Sequence, residues 1–161
     1  MAKGSGKRKT APGDVASNRQ ASFRFNLFDR MEAGIVLQGT EVKALRDGGA
    51  QLKDGYATID AGEVWLHNVH IPPYKPAARE NHEPERPRKL LLHRYQIERL
   101  VGRVKERGLT LVPTRLYFSD DGRAKVEIAL AQGKDRFDKR EAIKERETKR
   151  EMQRAVRDLR R

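Results

Sequence analysis

Apolar positions along the chain change period several times, and each change marks an element. Phe23, Phe25 and Leu27 alternate with polar residues, and the phase then shifts around Glu32-Ala33-Gly34 before Ile35, Val36 and Leu37. This predicts one long strand bent by a bulge at Gly34. Thr40 is placed to cap a short helix through Arg46, with Val42 and Leu45 facing inward and Gly48-Gly49 stopping it. Such a helix would plug one end of a barrel. Two runs of strand formers, Tyr56 to Asp60 and Glu63 to Ile71, flank the turn residues Asp60-Ala61-Gly62 and predict a hairpin. Pro72, Pro73, Pro76, Pro84 and Pro87 make the next stretch a surface loop with little regular structure.

From His93 to Arg107 the period becomes helical. Ile97, Leu100, Val101 and Val104 recur at i, i+3, i+4 and i+7, and Gly108 is positioned to end the helix. Leu109 to Phe118 and Arg123 to Ala131 then form a second hairpin across Ser119-Asp120-Asp121-Gly122. Ala124, Val126, Ile128 and Leu130 alternate with charged residues there, so one face is core and the other is charged. Strands, a helix, then more strands predict a β-rich α+β fold, a small antiparallel barrel of the oligonucleotide-binding type with about three helices and a C-terminal tail.

The ends of the chain differ from this body. Residues 1–20 are rich in Gly, Ser, Lys and Asn with no apolar period, and they cannot bury enough surface to offset the entropy of ordering, so a flexible basic arm is expected. Residues 21–133 form the predicted barrel domain. Residues 134–161 carry 12 Lys and Arg against 7 Asp and Glu, a basic tail. Its ion pairs, such as Glu145 with Lys149, favour a helix by only about 0.2–0.5 kcal/mol each, and the apolar stripe of Met152, Ala155, Val156 and Leu159 is small. The tail is therefore expected to be disordered in the free chain and helical only when bound.

Charge narrows the class of function. Lys and Arg outnumber Asp and Glu by 35 to 23, a formal net charge of +12, which makes a polyanion the natural partner. No stretch approaches the roughly 18–20 apolar residues that span a bilayer, and no apolar segment follows the basic start, so neither a membrane span nor a secretory signal is expected. The absence of cysteine excludes disulfides, Cys-ligated zinc and thiol nucleophiles, and it fits a reducing cytoplasm.

Candidate chemistry is sparse. His67 and His70 are three apart, which on a strand points them to opposite faces. Gly48-Gly49 lacks the spacing of a phosphate-binding loop, and Asp120-Asp121 lies in a turn where Asp is common for local reasons. No catalytic residue, metal or cofactor is expected, and a nuclease reading lacks ligand spacing. Basic residues concentrate instead at Arg86, Arg88, Lys89 and Arg94, around Leu90-Leu91-Leu92, and predict a phosphate-contact surface. Trp65, Tyr74, Tyr117 and Phe118 serve as readily in the core as in base stacking.

Several phrases carry a resemblance: Asn18-Arg19, the run Glu32-Ala33-Gly34-Ile35-Val36-Leu37-Gln38-Gly39-Thr40-Glu41-Val42-Lys43, and Arg88-Lys89-Leu90-Leu91-Leu92-His93. Gly108-Leu109-Thr110-Leu111-Val112-Pro113, Asp138-Lys139-Arg140 and Ile143-Lys144-Glu145-Arg146 follow in order. From about Asn18 to Arg146 the chain resembles the small protein B family, the SsrA-binding proteins that partner transfer-messenger RNA in bacterial trans-translation. The resemblance implies a monomeric barrel seated on the tRNA-like domain of that RNA and delivered with elongation factor Tu to stalled ribosomes. It also implies a tail that enters the decoding centre and empty mRNA channel.

Carried onto this sequence, the RNA-binding positions are Asn18, Glu32, Leu91, His93, Gly133 and Lys134, and the basic residues Arg19, Arg88 and Lys89 of the same phrases are counted with them. The ribosome-binding tail comprises Phe137, Asp138, Lys139, Arg140, Ile143, Lys144, Glu145 and Arg146. Gln132 and Asp135 depart from the family's basic pattern, and Phe137 replaces its usual His or Tyr. A structural ribosomal protein or general RNA chaperone is the competing class, supported by the same charge but not by the ordered motifs.

Overall fold

A computed structural model describes residues 13–77, 79–134 and 136–160, without the side chains of residues 106, 107 and 136–139. Seven strands, β1 (Asp14–Ser17), β2 (Phe25–Ile35), β3 (Tyr56–Asp60), β4 (Glu63–His67), β5 (Arg88–Leu91), β6 (Thr110–Phe118) and β7 (Ala124–Gly133), form one antiparallel sheet. The order β1-β6-β3-β4-β5-β2-β7, with β6 also paired to β7, curls it into a ring. Closure is uneven. β2 and β6 pair with β7 along most of their length, whereas β3 meets β6 at the single register pair Ala57–Leu111.

Four helices accompany the ring: α1 (Ala21–Arg24), α2 (Gly39–Gly48), α3 (Arg94–Arg107) and α4 (Arg136–Leu159). Leu100 of α3 and Ala44 and Leu45 of α2 enter the core beside Val64, Leu66, Leu90, Leu111, Leu116, Val126, Ile128 and Leu130. Gly108 ends α3 in the left-handed conformation, φ 60°, as its place after the apolar stripe predicts. Ala61 and Gly62 both adopt positive φ in the two-residue β3–β4 turn, whose twist matches the flanking strands. β4 stops at His67 rather than continuing to Ile71, and His70 makes only an isolated bridge with Gln51.

The bulge in β2 is not at Gly34. It lies at Asp29, between the register pairs Phe28–Leu130 and Arg30–Ala129. The reason is a change of face. Leu27 pairs with Ala131 and packs with Ala21, Val112 and Phe25 in a small second cluster, whereas Met31 pairs with Ile128 and packs on the main core. Residues four apart on a regular strand share a face, so one extra residue is required between them. Gly34 serves another purpose: it faces Leu91 across β2–β5, where an added Cβ would lie 3.2 Å from the Leu91 Cβ.

Part of the stretch expected to be a flexible arm over residues 1–20 is ordered structure, and residues 1–12 lie outside the described residues. Asp14–Ser17 pairs with β6, the buried Ala16 joins the core, and α1 follows from Ala21. α2 begins at Gly39 with Gln38 as its N-cap. The Thr40 hydroxyl is engaged by His82 Nδ1 at 2.9 Å instead of capping the helix, and Glu41 rather than Val42 shares the buried face with Ala44 and Leu45. α4 is a continuous helix, consistent with its richness in Arg, Lys and Glu, all good helix formers. Its stripe of Met152, Val156 and Leu159 stays exposed.

Candidate nucleic-acid interface

The long β2–β7 ribbon holds a group of expected contact residues at each end. At one end, Glu32 projects from β2 to the outside of the barrel. The Tyr117 hydroxyl donates to Glu32 Oε2, and Lys125 Nζ lies 4.0 Å from Glu32 Oε1. Register pairs Tyr117 with Lys125 and Gly34 with both Lys125 and Leu91, so strand geometry alone brings β2, β5, β6 and β7 to this point. The Arg115 guanidinium sits 4.1 Å from the Tyr117 ring centroid. Leu91, Phe118, Arg123 and Lys125 line a shallow groove beside Gly34. Burial, and then the neighbouring Glu32 carboxylate, push the Tyr117 hydroxyl up to about 12, so it remains a donor to Glu32 at neutral pH.

This face combines an acceptor, cations and an exposed apolar side chain. Glu32 has lone pairs for base amino groups or 2′-hydroxyls, and Lys125 and Arg123 can meet phosphate. Leu91 is 53% exposed, high for a strand leucine in a small barrel. His93 follows it as the N-cap of α3, and Gln96 Oε1 accepts from the His93 backbone N–H at 3.0 Å, leaving the imidazole outside the helix.

At the other end, Gly133 pairs with Phe25, and Lys134 Nζ donates to the Ser22 carbonyl of α1 at 2.9 Å. The two ends are seven or so strand residues apart, roughly 23 Å at about 3.3 Å per residue. Arg19 is exposed in the turn before α1. Asn18 serves the fold: its Nδ2 donates to the Pro113 and Leu52 carbonyls at 3.0 and 3.2 Å, tying the incoming chain to β6 and to the segment before β3. A cavity-free approach to Gly133 remains, since an added Cβ there meets nothing within 4 Å.

Arg88 is not on the surface. It is fully buried, and its Nε donates to Glu41 Oε2 at 2.6 Å while its Nη1 and Nη2 donate to the Val69 and Pro84 carbonyls. Burial lowers the Arg88 pKa and the Glu41 carboxylate opposes the shift. Arg86 Nε donates to the other Glu41 oxygen at 2.6 Å. Strand alternation carries the signal: Arg88 and Leu90 point inward, while Lys89 and Leu91 point outward. Lys89 is half-buried and pairs with Glu63 at 2.8 Å, and Arg94 is exposed with Glu98 at 3.3 Å. The expected basic cluster therefore divides between a buried clamp and a surface. The cationic residues of the other face, Arg115, Arg123 and Lys125, come from the last hairpin, whose polar alternation is the only sequence sign of them.

In α4, Arg140, Ile143, Lys144, Glu145 and Arg146 are exposed, and the side chains of Phe137, Asp138 and Lys139 lie outside the described residues. Arg146 rests over the Phe23 ring of α1 with its guanidinium 5.2 Å from the centroid. The histidines are engaged separately: His67 Nε2 meets the Thr58 hydroxyl at 2.9 Å and His70 Nδ1 lies 3.7 Å from Glu85. Among the described residues no three His, Cys, Asp or Glu side chains group as a metal site, and no described helix is long and apolar enough to cross a membrane.

These features define a class: a small antiparallel barrel with a mixed polar, cationic and apolar outer face and a projecting basic helix, a form suited to a folded polyanion. Comparison makes the assignment specific. The profile of the SmpB protein family matches residues 15–158. The SsrA-binding protein of Thermobifida fusca is 59% identical over 146 residues, covering 91% of each chain. That of Frankia casuarinae is 56% identical over 149 residues, 92% of this chain and 93% of its own, and that of Mycolicibacterium paratuberculosis is 51% identical over 162 residues, 97% and 95%. A chain from a solved structure described as "tmRNA-SmpB: a journey to the center of the bacterial ribosome" superposes with a TM-score of 0.65 at 44% identity, covering 80% of this chain and 93% of that one. The chain belongs to the SmpB family.

Proposed function

We propose that the chain is a non-catalytic RNA adaptor that binds the tRNA-like domain of transfer-messenger RNA and carries it, as a cytoplasmic monomer alongside elongation factor Tu, to stalled ribosomes. The observation that supports it most is the family match over residues 15–158, which spans the barrel and the helix together. On this reading the Glu32 end of the ribbon and the Leu91–His93 edge read polar groups and shape, and Lys89, Arg19, Gly133 and Lys134 lie along the RNA path. α4, with Arg140, Lys144 and Arg146, enters the decoding centre and empty mRNA channel, where cations displace counterions and gain phosphate contacts. Phe137 supplies an aromatic face at its start.

Equilibrium titration of the full chain with transfer-messenger RNA and with an unrelated structured RNA of equal length tests this. The account predicts clear preference for the former at moderate salt, and equal affinity contradicts it. Glu32→Gln provides the sharper check on the face. It raises the net charge by one, which on bulk electrostatics alone tightens binding. A lost charge-assisted hydrogen bond, about 1.5–3 kcal/mol, instead weakens specific binding by roughly ten- to a hundredfold. Unchanged or tighter specific binding removes Glu32 from the interface.

A further inference from the structure

Tyr95 is the second residue of α3, yet it takes no part in the helix's core stripe of Ile97, Leu100 and Val104 and is 68% exposed. Its ring is parallel to that of His93, with the centroids 5.6 Å apart and the planes 12° from each other. Leu91, two residues before His93, is also exposed. An exposed aliphatic side chain at the end of β5 is thus followed, where the chain passes into α3, by two stacked aromatic rings outside the barrel. A single exposed aromatic needs no explanation, but two parallel, stacked rings held outside the barrel at no benefit to the core form a short aromatic stack open to solvent.

We propose that Tyr95, with His93 stacked beside it, is a platform for an unpaired nucleobase, extending the RNA interface past Leu91 onto the start of α3. The chemistry that fits such a surface is a π-face with phosphate next to it. No acidic residue lies in the first turn of α3, and the adjacent Arg94 is almost fully exposed and only loosely paired at the surface with Glu98, so its guanidinium is open to a phosphate beside the stack. Single-stranded bases splayed from an RNA loop stack on such rings without strong sequence preference. A Tyr has few rotatable bonds, and the contact with His93 holds its ring in place before RNA arrives, which lowers the ordering cost. The platform rests on the functional reading above, since it requires a folded RNA with unpaired bases on this side of the barrel.

The test uses the full-length chain, Tyr95→Ala and Tyr95→Phe, titrated with transfer-messenger RNA over a range of salt, and with the same RNA carrying 2-aminopurine at single unpaired positions of its tRNA-like domain. Tyr95 lies outside the core, so both variants are expected to melt with the wild type. Tyr95→Ala is expected to weaken binding by about fivefold to 150-fold with no change in the slope of log K against log salt, because stacking releases no counterions. Tyr95→Phe should bind within about twofold of wild type, as the hydroxyl is not used. At one labelled position, fluorescence should be quenched by wild type and Tyr95→Phe but not by Tyr95→Ala. Binding by Tyr95→Ala within twofold of wild type overturns the platform, as does a loss in Tyr95→Phe equal to that in Tyr95→Ala, or quenching that survives in Tyr95→Ala. A wild-type chain with no preference for this RNA overturns the functional reading itself, and is recognised before any variant is compared.

Discussion

Replacing Glu41 by alanine is expected to lower the stability of the chain by about 3–5 kcal/mol, the usual cost of removing one partner from a buried charge pair. Glu41 is fully buried and its two oxygens receive Arg86 and Arg88, each at 2.6 Å. The variant leaves Arg88 wholly buried with only the Val69 and Pro84 carbonyls for company, and carbonyl dipoles do not neutralise a guanidinium. Total stabilities of small domains are about 5–15 kcal/mol, so the loss is a large fraction. The effect reaches the interface, because Arg88 lies at the start of the strand that ends at Leu91. Urea unfolding measures the loss. The double variant Glu41→Leu with Arg88→Met should recover part of it, since the wholly buried guanidinium is removed with its partner and only the partly exposed Arg86 is left without the carboxylate. A loss below about 1 kcal/mol for Glu41→Ala contradicts the clamp.

Ending the chain after Lys134 is expected to abolish productive engagement of stalled ribosomes while leaving affinity for transfer-messenger RNA within about threefold. Among the described residues the core clusters contain none beyond Ala131, and α4 touches α1, where Arg146 covers Phe23. The segment removed carries 11 Lys and Arg against 7 Asp and Glu, so the body keeps two thirds of the net charge of +12. What is lost is a projecting cationic helix of 24 residues, about 36 Å long at 1.5 Å per residue, the reach needed to lie along a channel. Peptide tagging in a reconstituted stalled-ribosome reaction checks this, together with RNA titration of the truncated chain. Residual tagging near the full-length level, or a truncated barrel that no longer binds the RNA, contradicts this division of labour.

Much of the fold is legible in the residues themselves. The stripe Ile97-Leu100-Val104 and the terminal Gly108 define α3, and the turns at Asp60-Ala61-Gly62 and at Ser119 to Gly122 define both hairpins, because period and turn chemistry are local. β1 is not legible. Asp14-Val15-Ala16-Ser17 has too few apolar residues to show a period, and only the edge of β6 makes it a strand. The bulge at Asp29 is hidden for a related reason. Leu27, Met31, Ala33 and Ile35 fall on positions of one parity, so the sequence shows no phase change where the strand in fact changes face.

The interface is legible unevenly. Leu91 lies opposite Gly34, two residues along β2 from Glu32, but composition cannot say which arginines are inside. Arg88 looks like one of several surface cations until alternation with Lys89 and Leu91 is applied, and its partner Glu41 is 47 residues away. Tyr117, with Arg115 over its ring, meets Glu32 only because β6, β7 and β2 adjoin, a long-range fact carried by no local pattern.

Capture of the full chain from growing cells, followed by sequencing of the RNA that copurifies, distinguishes an adaptor for one RNA from a general RNA binder. An adaptor for one RNA should recover a single species with a tRNA-like end, far above its share of cellular RNA, and the Glu32→Gln variant should recover less of it. Scattered ribosomal RNA fragments in proportion to their abundance, with no enriched tRNA-like species, would mark the chain as a general RNA-binding or ribosomal protein and contradict the account.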